Sequence, residues 1–229
     1  MASPTLLLVH GAWSGSWCWR DLRAILDQRG VASVSVDLPS SQLEADSTTG
    51  LRQDADEVVR AAASIEGPVI LVGHSYGGAV VLEAATGIPQ LEQIVFVAAL
   101  VPFTGQSATD VSREIRVRTR LDQAMLMEGD HLRLDPELVP QALYNQCDSA
   151  TSAWATSQLT TQTISSFRSP RSSIDLDIPS RYISCSDDFA VDPTLQEMMA
   201  GRCRQSTTIS SDHSPFLSHP LELFGALME

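Results

Sequence analysis

The sequence predicts an α/β protein: an open sheet of about six mostly parallel strands, helices on both faces, and a helical cap inserted after the fourth strand. Three observations carry this expectation. Short apolar runs alternate with longer amphipathic segments along most of the 229 residues, the order produced when parallel strands are joined by crossover helices. The first, third and fourth runs are almost unbroken stretches of Val, Ile and Leu, as in strands buried on both faces. The rhythm then stops from about 102 to 176, where no buried strand can be read.

In order, the strands are TLLLVHG (5–11), ASVSVDLP (32–39), PVILVGH (68–74), QIVFVAAL (93–100), SRYISCS (180–186) and QSTTISS (205–211). After the first, SWCWRDLRAILDQRG puts Trp19, Leu22, Ile25 and Leu26 on one helical face, and Gly30 suits its C-terminal stop. LRQDADEVVRAAASIEG aligns Leu51, Ala55, Val58, Val59 and Ala62 in a stripe that ends before Gly67. DPTLQEMMAG opens with Asp192 as N-cap and Pro193 in the first turn, and HPLELFGALM closes the chain as a helix. Residues 102–176 read as several short helices with polar connectors, among them REIRVRTR (113–120) as a solvated helix face. An insertion at that point stands over the carboxyl edge of the sheet, where ligands bind in open α/β folds. The chain thus divides into a core, 1–101 and 177–229, and a cap, 102–176.

A composition of 43% hydrophobic and 19% charged residues is that of a globular chain. The net charge of −13, from 28 acidic and 15 basic residues, argues against nucleic acid or an anionic membrane as partner. No apolar run approaches the roughly 20 residues of a membrane span. MASPTLLLVHG reads as a first strand rather than a leader, so the expected location is the cytoplasm. Cys18, Cys147, Cys185 and Cys203 have neither CxxC nor zinc spacing and read as free thiols. No cofactor or metal is implied. The expected partner is a small molecule, and no oligomeric state is specified.

The chemistry is concentrated at Gly73-His74-Ser75-Tyr76-Gly77, a G-x-S-x-G corner between a buried strand and a small-residue helix. Such a turn strains the serine backbone, lifts its hydroxyl above the sheet edge and sets it at a helix N-terminus that favours developing negative charge. Serine is a weak nucleophile and needs a base. Of five histidines, His213 lies just after the last strand and is the candidate base. His219, ahead of Pro220, reads as a cap; His74 as scaffold beside the corner; His10 as the end of the first strand; and His131 as a polar surface residue of the cap. A carboxylate must orient the base. Asp187, Asp188 and Asp192 follow the fifth strand, with Asp192 also the helix cap, while Asp212 reads as a loop cap or a solvated carboxylate. The oxyanion needs preorganised N–H donors. Tyr76, after the serine, supplies one, and Ala12, in the HGAW loop after the first strand, the other.

With LLLVHGAWSGSWCW, LVGHSYGGAV, FVAALVPFTGQS and IPSRYISCSDDFAV…DHSPFLSHP in place, the chain resembles the α/β-hydrolase superfamily along essentially its full length. The nearer resemblance is to plant methylesterases, salicylate esterases and hydroxynitrile lyases, with their bacterial esterase relatives. It implies that the acid is Asp188, with one position of slack toward Asp187. The hydroxynitrile lyases of that group carry a threonine in the loop after the first strand and a lysine after the catalytic histidine. Here those places hold Gly11 or Ala12 and Ser214, so cyanohydrin cleavage is not expected. Ser14 stands where many relatives carry histidine.

The expected function is therefore serine hydrolysis of a small carboxylic ester, or of a related lactone, thioester, carbamate or amide, through an acyl-enzyme. The alternatives are a lyase using the same residues and a small-molecule receptor on a hydrolase scaffold. Trp13, Met125, Leu126, Met127 and Trp154 are the apolar residues expected at a substrate pocket, the cap's own core being the other place for the last four.

Overall fold

A computed structural model describes residues 3–175 and 177–229; Leu176, at the expected end of the cap, lies outside the described residues, as do residues 1 and 2. Strand β1 (Thr5–Val9) leads through a 3-10 turn (Ser16–Trp19) into α1 (Arg20–Gln28) and β2 (Ser33–Val36). Next come α2 (Leu51–Ala62), β3 (Val69–His74), α3 (Gly77–Ala84) and β4 (Leu91–Val97). The insertion holds α4 (Ala108–Ser112), α5 (Arg120–Ala124), β5 (Met125–Glu128), β6 (His131–Leu134), α6 (Val139–Leu143), α7 (Ser149–Gln158), β7 (Gln162–Thr163) and α8 (Ile164–Arg168). The core resumes with β8 (Ser180–Cys185), α9 (Pro193–Ala200), β9 (Gln205–Ile209), α10 (Pro215–Ser218) and α11 (Pro220–Met228).

The main sheet has six strands in the order β2-β1-β3-β4-β8-β9, and every pairing in it is parallel. The strand alternation separates two apolar layers. Leu7, Val9, Leu71, Phe96 and Tyr182 pack with Val58, Val80 and Met199 of α2, α3 and α9. Leu6, Leu8, Val72, Val97 and Ile183 pack with Trp19, Leu22, Leu26 and Leu223 on the other face. Both faces are covered, which is why the runs read as continuous; each buried Leu or Val contributes roughly 1.5–3 kcal/mol. The chain leaves β1 toward β2, then returns to β3 on the opposite side of β1. The loops after β1 and β3 therefore meet at the switch point of the sheet.

The insertion differs from the expected bundle of short helices, for it also contains a three-stranded antiparallel sheet, β5-β6-β7. These strands have four, four and two residues, and β5 carries no buried side chain. Too short, and in β5 too exposed, to show an apolar run, they left only a turn glycine, Gly129, as a signal. The 113–120 segment is not the expected helix face. Helix α4 stops at Ser112, and the chain runs on irregularly to α5 because Glu114 turns inward to Arg202, whose Nη2 reaches both carboxylate oxygens at 2.7 and 2.6 Å. Buried Arg171 fastens the base of the insertion: its Nη1 donates to the Pro102 carbonyl at 2.9 Å, and its backbone pairs with Gly105 and Gln106.

Candidate active site

The corner after β3 has the strain its sequence implied. Ser75 sits at φ +53°, in the left-handed region, at a cost on the order of 1–2 kcal/mol for a residue with a Cβ. It is held from both sides: its N–H donates to the Val97 carbonyl at 3.2 Å, and its carbonyl accepts from Gly78 and Leu100, each at 3.0 Å. The flanking glycines are needed for close approach. A Cβ on Gly73 would stand 2.7 Å from the Gly77 carbonyl oxygen, and one on Gly77 would stand 2.6 Å from that of His10. On the facing loop, a Cβ on Gly11 would meet His74 Nδ1 and Ser75 Cβ, each at 2.9 Å.

His213 and Asp188 are both buried, and His213 Nδ1 donates to Asp188 Oδ2 at 2.7 Å. The carboxylate is fully engaged. Its Oδ1 accepts the Ala190 and Val191 amides at 2.7 and 3.0 Å, and its Oδ2 also accepts Gln196 Nε2 at 2.9 Å. Gln196, fully buried, in turn accepts the Cys185 amide, so α9 fixes the carboxylate to the end of β8. Asp187 is bound instead by the Ser186 and Ser210 hydroxyls, and Asp192 caps α9 through the Thr194 amide at 2.8 Å. Asp212 is not the solvated carboxylate that was one of its two readings. It is fully buried and accepts Gln146 N, Ser214 N and Ser218 Oγ, holding the turn that presents His213.

The other imidazoles have separate places. His74 Nε2 donates to the His213 carbonyl at 2.8 Å, and burial holds its pKa well below the ordinary histidine value, so it braces the loop as a neutral ring. His10, lowered likewise by burial, accepts the Leu38 amide on Nε2 and donates from Nδ1 to the Gly11 carbonyl. His131 is half-buried rather than on the surface, donating to the Ala45 carbonyl at 3.0 Å. His219 occupies the N-cap position of α11, but its side chain makes no capping bond.

Ser75, His213 and Ala12 line one narrow cleft of about 20 Å³. Among the described residues a hydrogen bond joins His213 to Asp188 and none joins His213 to Ser75. The Ala12 and Tyr76 amides donate to no acceptor among the described residues, whereas the next amide in the loop, that of Trp13, is taken by Gln162. The cleft opens into a cavity of about 700 Å³ beneath the cap; Trp13, Ser75 and Leu121 line both. Met125 and Met127 line the cavity, Met127 at its open side with 74% of its surface exposed. Leu126, between them on the other face of β5, is 45% exposed. Trp154 does not line the cavity: α7 packs its Ala155 into the apolar layer that holds Trp19 and Leu22, and the Trp154 ring stands edge-on to Trp17 at 5.3 Å and beneath the Arg20 guanidinium at 3.5 Å.

One part of the site had no sequence signal. Trp13, at φ +61°, is clamped by the cap: its N–H donates to Gln162 Oε1 at 3.1 Å, its carbonyl accepts from Thr160 N at 2.9 Å, and its indole N–H donates to the Leu132 carbonyl at 3.0 Å. Gln162 is fully buried and uses all its capacity, also accepting Ser41 Oγ and donating to Ser40 and Ser166. Through Ser40 the network reaches Asp54, which accepts the Tyr76 hydroxyl at 2.7 Å. Burial pushes the Asp54 carboxyl up to about 6, against the lowering effect of these donors. A glutamine among threonines in a polar connector looks like any loop residue; only the fold brings it to the corner.

The comparisons with known proteins agree with this architecture. At 27% identity over 237 residues, the chain is similar to the alpha/beta hydrolase nvfD of Aspergillus novofumigatus, with 96% of this chain and 93% of that protein covered. It is similar at the same identity to methylesterase 17 of Arabidopsis thaliana, covering 99% of this chain and 91% of that one. Among solved structures, a pyrethroid hydrolase from Sphingobium faniae JZ-2 superposes with a TM-score of 0.85 at 21% identity, over 98% of this chain and 96% of that one. The model of the alpha/beta hydrolase family matches residues 6–227. The chain therefore belongs to the alpha/beta hydrolase family.

Proposed function

We propose that this chain is a serine esterase acting on small-molecule carboxylic esters through an acyl-enzyme. Ser75 Oγ attacks the ester carbonyl, and His213 Nε2 takes its proton and returns it to the leaving alcohol. Asp188 holds the imidazole with Nδ1 protonated and stabilises the imidazolium. The Ala12 and Tyr76 amides receive the oxyanion, and water then releases the acid. The observation that carries this reading is the convergence of a strained Ser75, the hydrogen-bonded Asp188–His213 pair and an unengaged Ala12 amide on one cleft. The open Ser75–His213 contact is compatible with it, since such bonds often tighten only around substrate. Relatives named methylesterases support ester chemistry, and a cavity of about 700 Å³ is the size of a small-molecule site.

The test is turnover of p-nitrophenyl acetate and butyrate by the wild type and by Ser75→Ala, with a fluorophosphonate probe to mark the nucleophile. The expected outcome is turnover and labelling in the wild type and neither in the variant, with His213→Ala almost as inactive. Equal near-zero rates for wild type and Ser75→Ala would favour a receptor. Cyanide release from a chiral cyanohydrin would favour a lyase. Survival of activity in His213→Ala with loss in His219→Ala would move the base to His219.

A further inference from the structure

The cavity wall has a charge opposite to that of the molecule. The chain carries 28 acidic residues and 15 basic ones, all of them arginine. Yet the cavity reached from Ser75 is lined by four arginines, Arg113, Arg116, Arg118 and Arg168, and by only two acids, Asp122 and Asp192. Both acids are engaged in helix caps: Asp122 Oδ2 accepts the Thr119 amide and hydroxyl at 2.8 and 3.0 Å, and Asp192 Oδ1 accepts the Thr194 amide at 2.8 Å. The one acid inside the arginine-rich segment, Glu114, is tied to Arg202. Among the described residues the guanidinium groups of Arg116, Arg118 and Arg168 have neither an ion pair nor a hydrogen bond, whereas those of Arg202, Arg171 and Arg204 all have carboxylate partners. Three cations without partners, exposed at the rim of a partly apolar cavity on so acidic a protein, form a local positive patch beside the opening. Guanidinium groups bind carboxylates and phosphates through paired N–H donors.

We propose that the substrate carries an anionic oxyacid group remote from its ester, and that Arg113, Arg116, Arg118 and Arg168 bind this group while the scissile carbonyl lies at Ser75. The proposal rests on the esterase reading and narrows its substrate class to half-esters of diacids or their phosphorylated counterparts. The apolar side chains of Trp13, Phe167 and Leu132, which line the same cavity, accept the carbon chain that joins the two ends.

The experiment uses methyl half-esters of linear dicarboxylic acids of increasing length, each paired with its ω-carboxamide, and a parallel ω-phosphonate series. At the best chain length kcat/KM for the anion is expected to exceed that for the carboxamide at least tenfold, mostly through KM. The preference is expected to shrink in about 0.5 M NaCl, where screening shortens the reach of charges, and to fall close to one in Arg116→Gln/Arg118→Gln/Arg168→Gln. The series that is preferred, carboxylate or phosphonate, names the oxyacid. Turnover without preference at any length, or a preference that survives the triple substitution, overturns the proposal and leaves the esterase reading standing. Calorimetric binding of the same half-esters to Ser75→Ala separates the two: charge-selective binding with no turnover by the wild type keeps the arginine site and removes the esterase.

Discussion

Asp188 and Asp187 are adjacent, chemically identical and differently placed. Asp188 is buried with four donors on its two oxygens, one of them the His213 ring, while Asp187 is bound by two serine hydroxyls near the surface. Replacing Asp188 by Asn removes the charge that stabilises an imidazolium and, with the Asn oxygen kept on the Ala190 and Val191 amides, turns an N–H donor toward Nδ1, so kcat is expected to fall on the order of a thousandfold or more. Asp187→Asn is expected to stay within a few-fold of wild type. Steady-state kinetics on one p-nitrophenyl ester decide it, and the reverse ranking would transfer the orienting role to Asp187. Gln196 belongs to the same unit, for among the described residues its amide is the only side-chain donor on Asp188 apart from the imidazole. The sequence placed a carboxylate after the fifth strand but offered two adjacent ones. Which of them turns inward depends on the turn at Ala190 and Val191, whose amides close on Asp188 Oδ1.

At the scale of elements, β3, the corner and α3 were legible because the pattern that marks them is local: a buried strand, glycines where backbones touch, small residues to follow. The cap was not, because β5, β6 and β7 pair with one another over two to four residues each and carry no apolar pattern of their own. Strand β7 is the clearest case. It has two residues, and what fixes it is Gln162 reaching Trp13, Ser40, Ser41 and Ser166. In Gln162→Ala the Trp13 amide and three hydroxyls lose a buried partner, at about 1–3 kcal/mol. For a chain of this size that lowers the thermal midpoint by roughly 2–4 °C per kcal/mol. A clamp on the loop next to Ala12 also predicts that kcat falls more than KM rises, with Gln162→Glu, which keeps the acceptor for Trp13, recovering part of kcat. Loss of midpoint with kcat intact would make Gln162 structural only.

Over the whole molecule, Asp54 joins the three parts that must stay in register: α2 that carries it, the corner through Tyr76, and the cap through Ser40 and Gln162. Its carboxyl is raised by burial to about 6, from an ordinary value of 3.8. A raised acid binds its proton more tightly in the folded chain than in the unfolded one, so its contribution to stability is fully present below the unfolded pKa. That contribution is lost as pH rises through the folded pKa. The window is therefore about pH 4 to 6, and the shift corresponds to a loss on the order of 3 kcal/mol across it. Asp54→Asn, nearly the same shape and without the titration, isolates this effect. Urea unfolding of both proteins at intervals from pH 4 to 7 is expected to give a wild-type stability that declines relative to the variant as pH rises, with most of the change complete by about pH 7. A difference that stays constant over that range, or one that runs the other way, would mean that the donors from Ser40 and Tyr76 outweigh burial and that Asp54 is charged throughout.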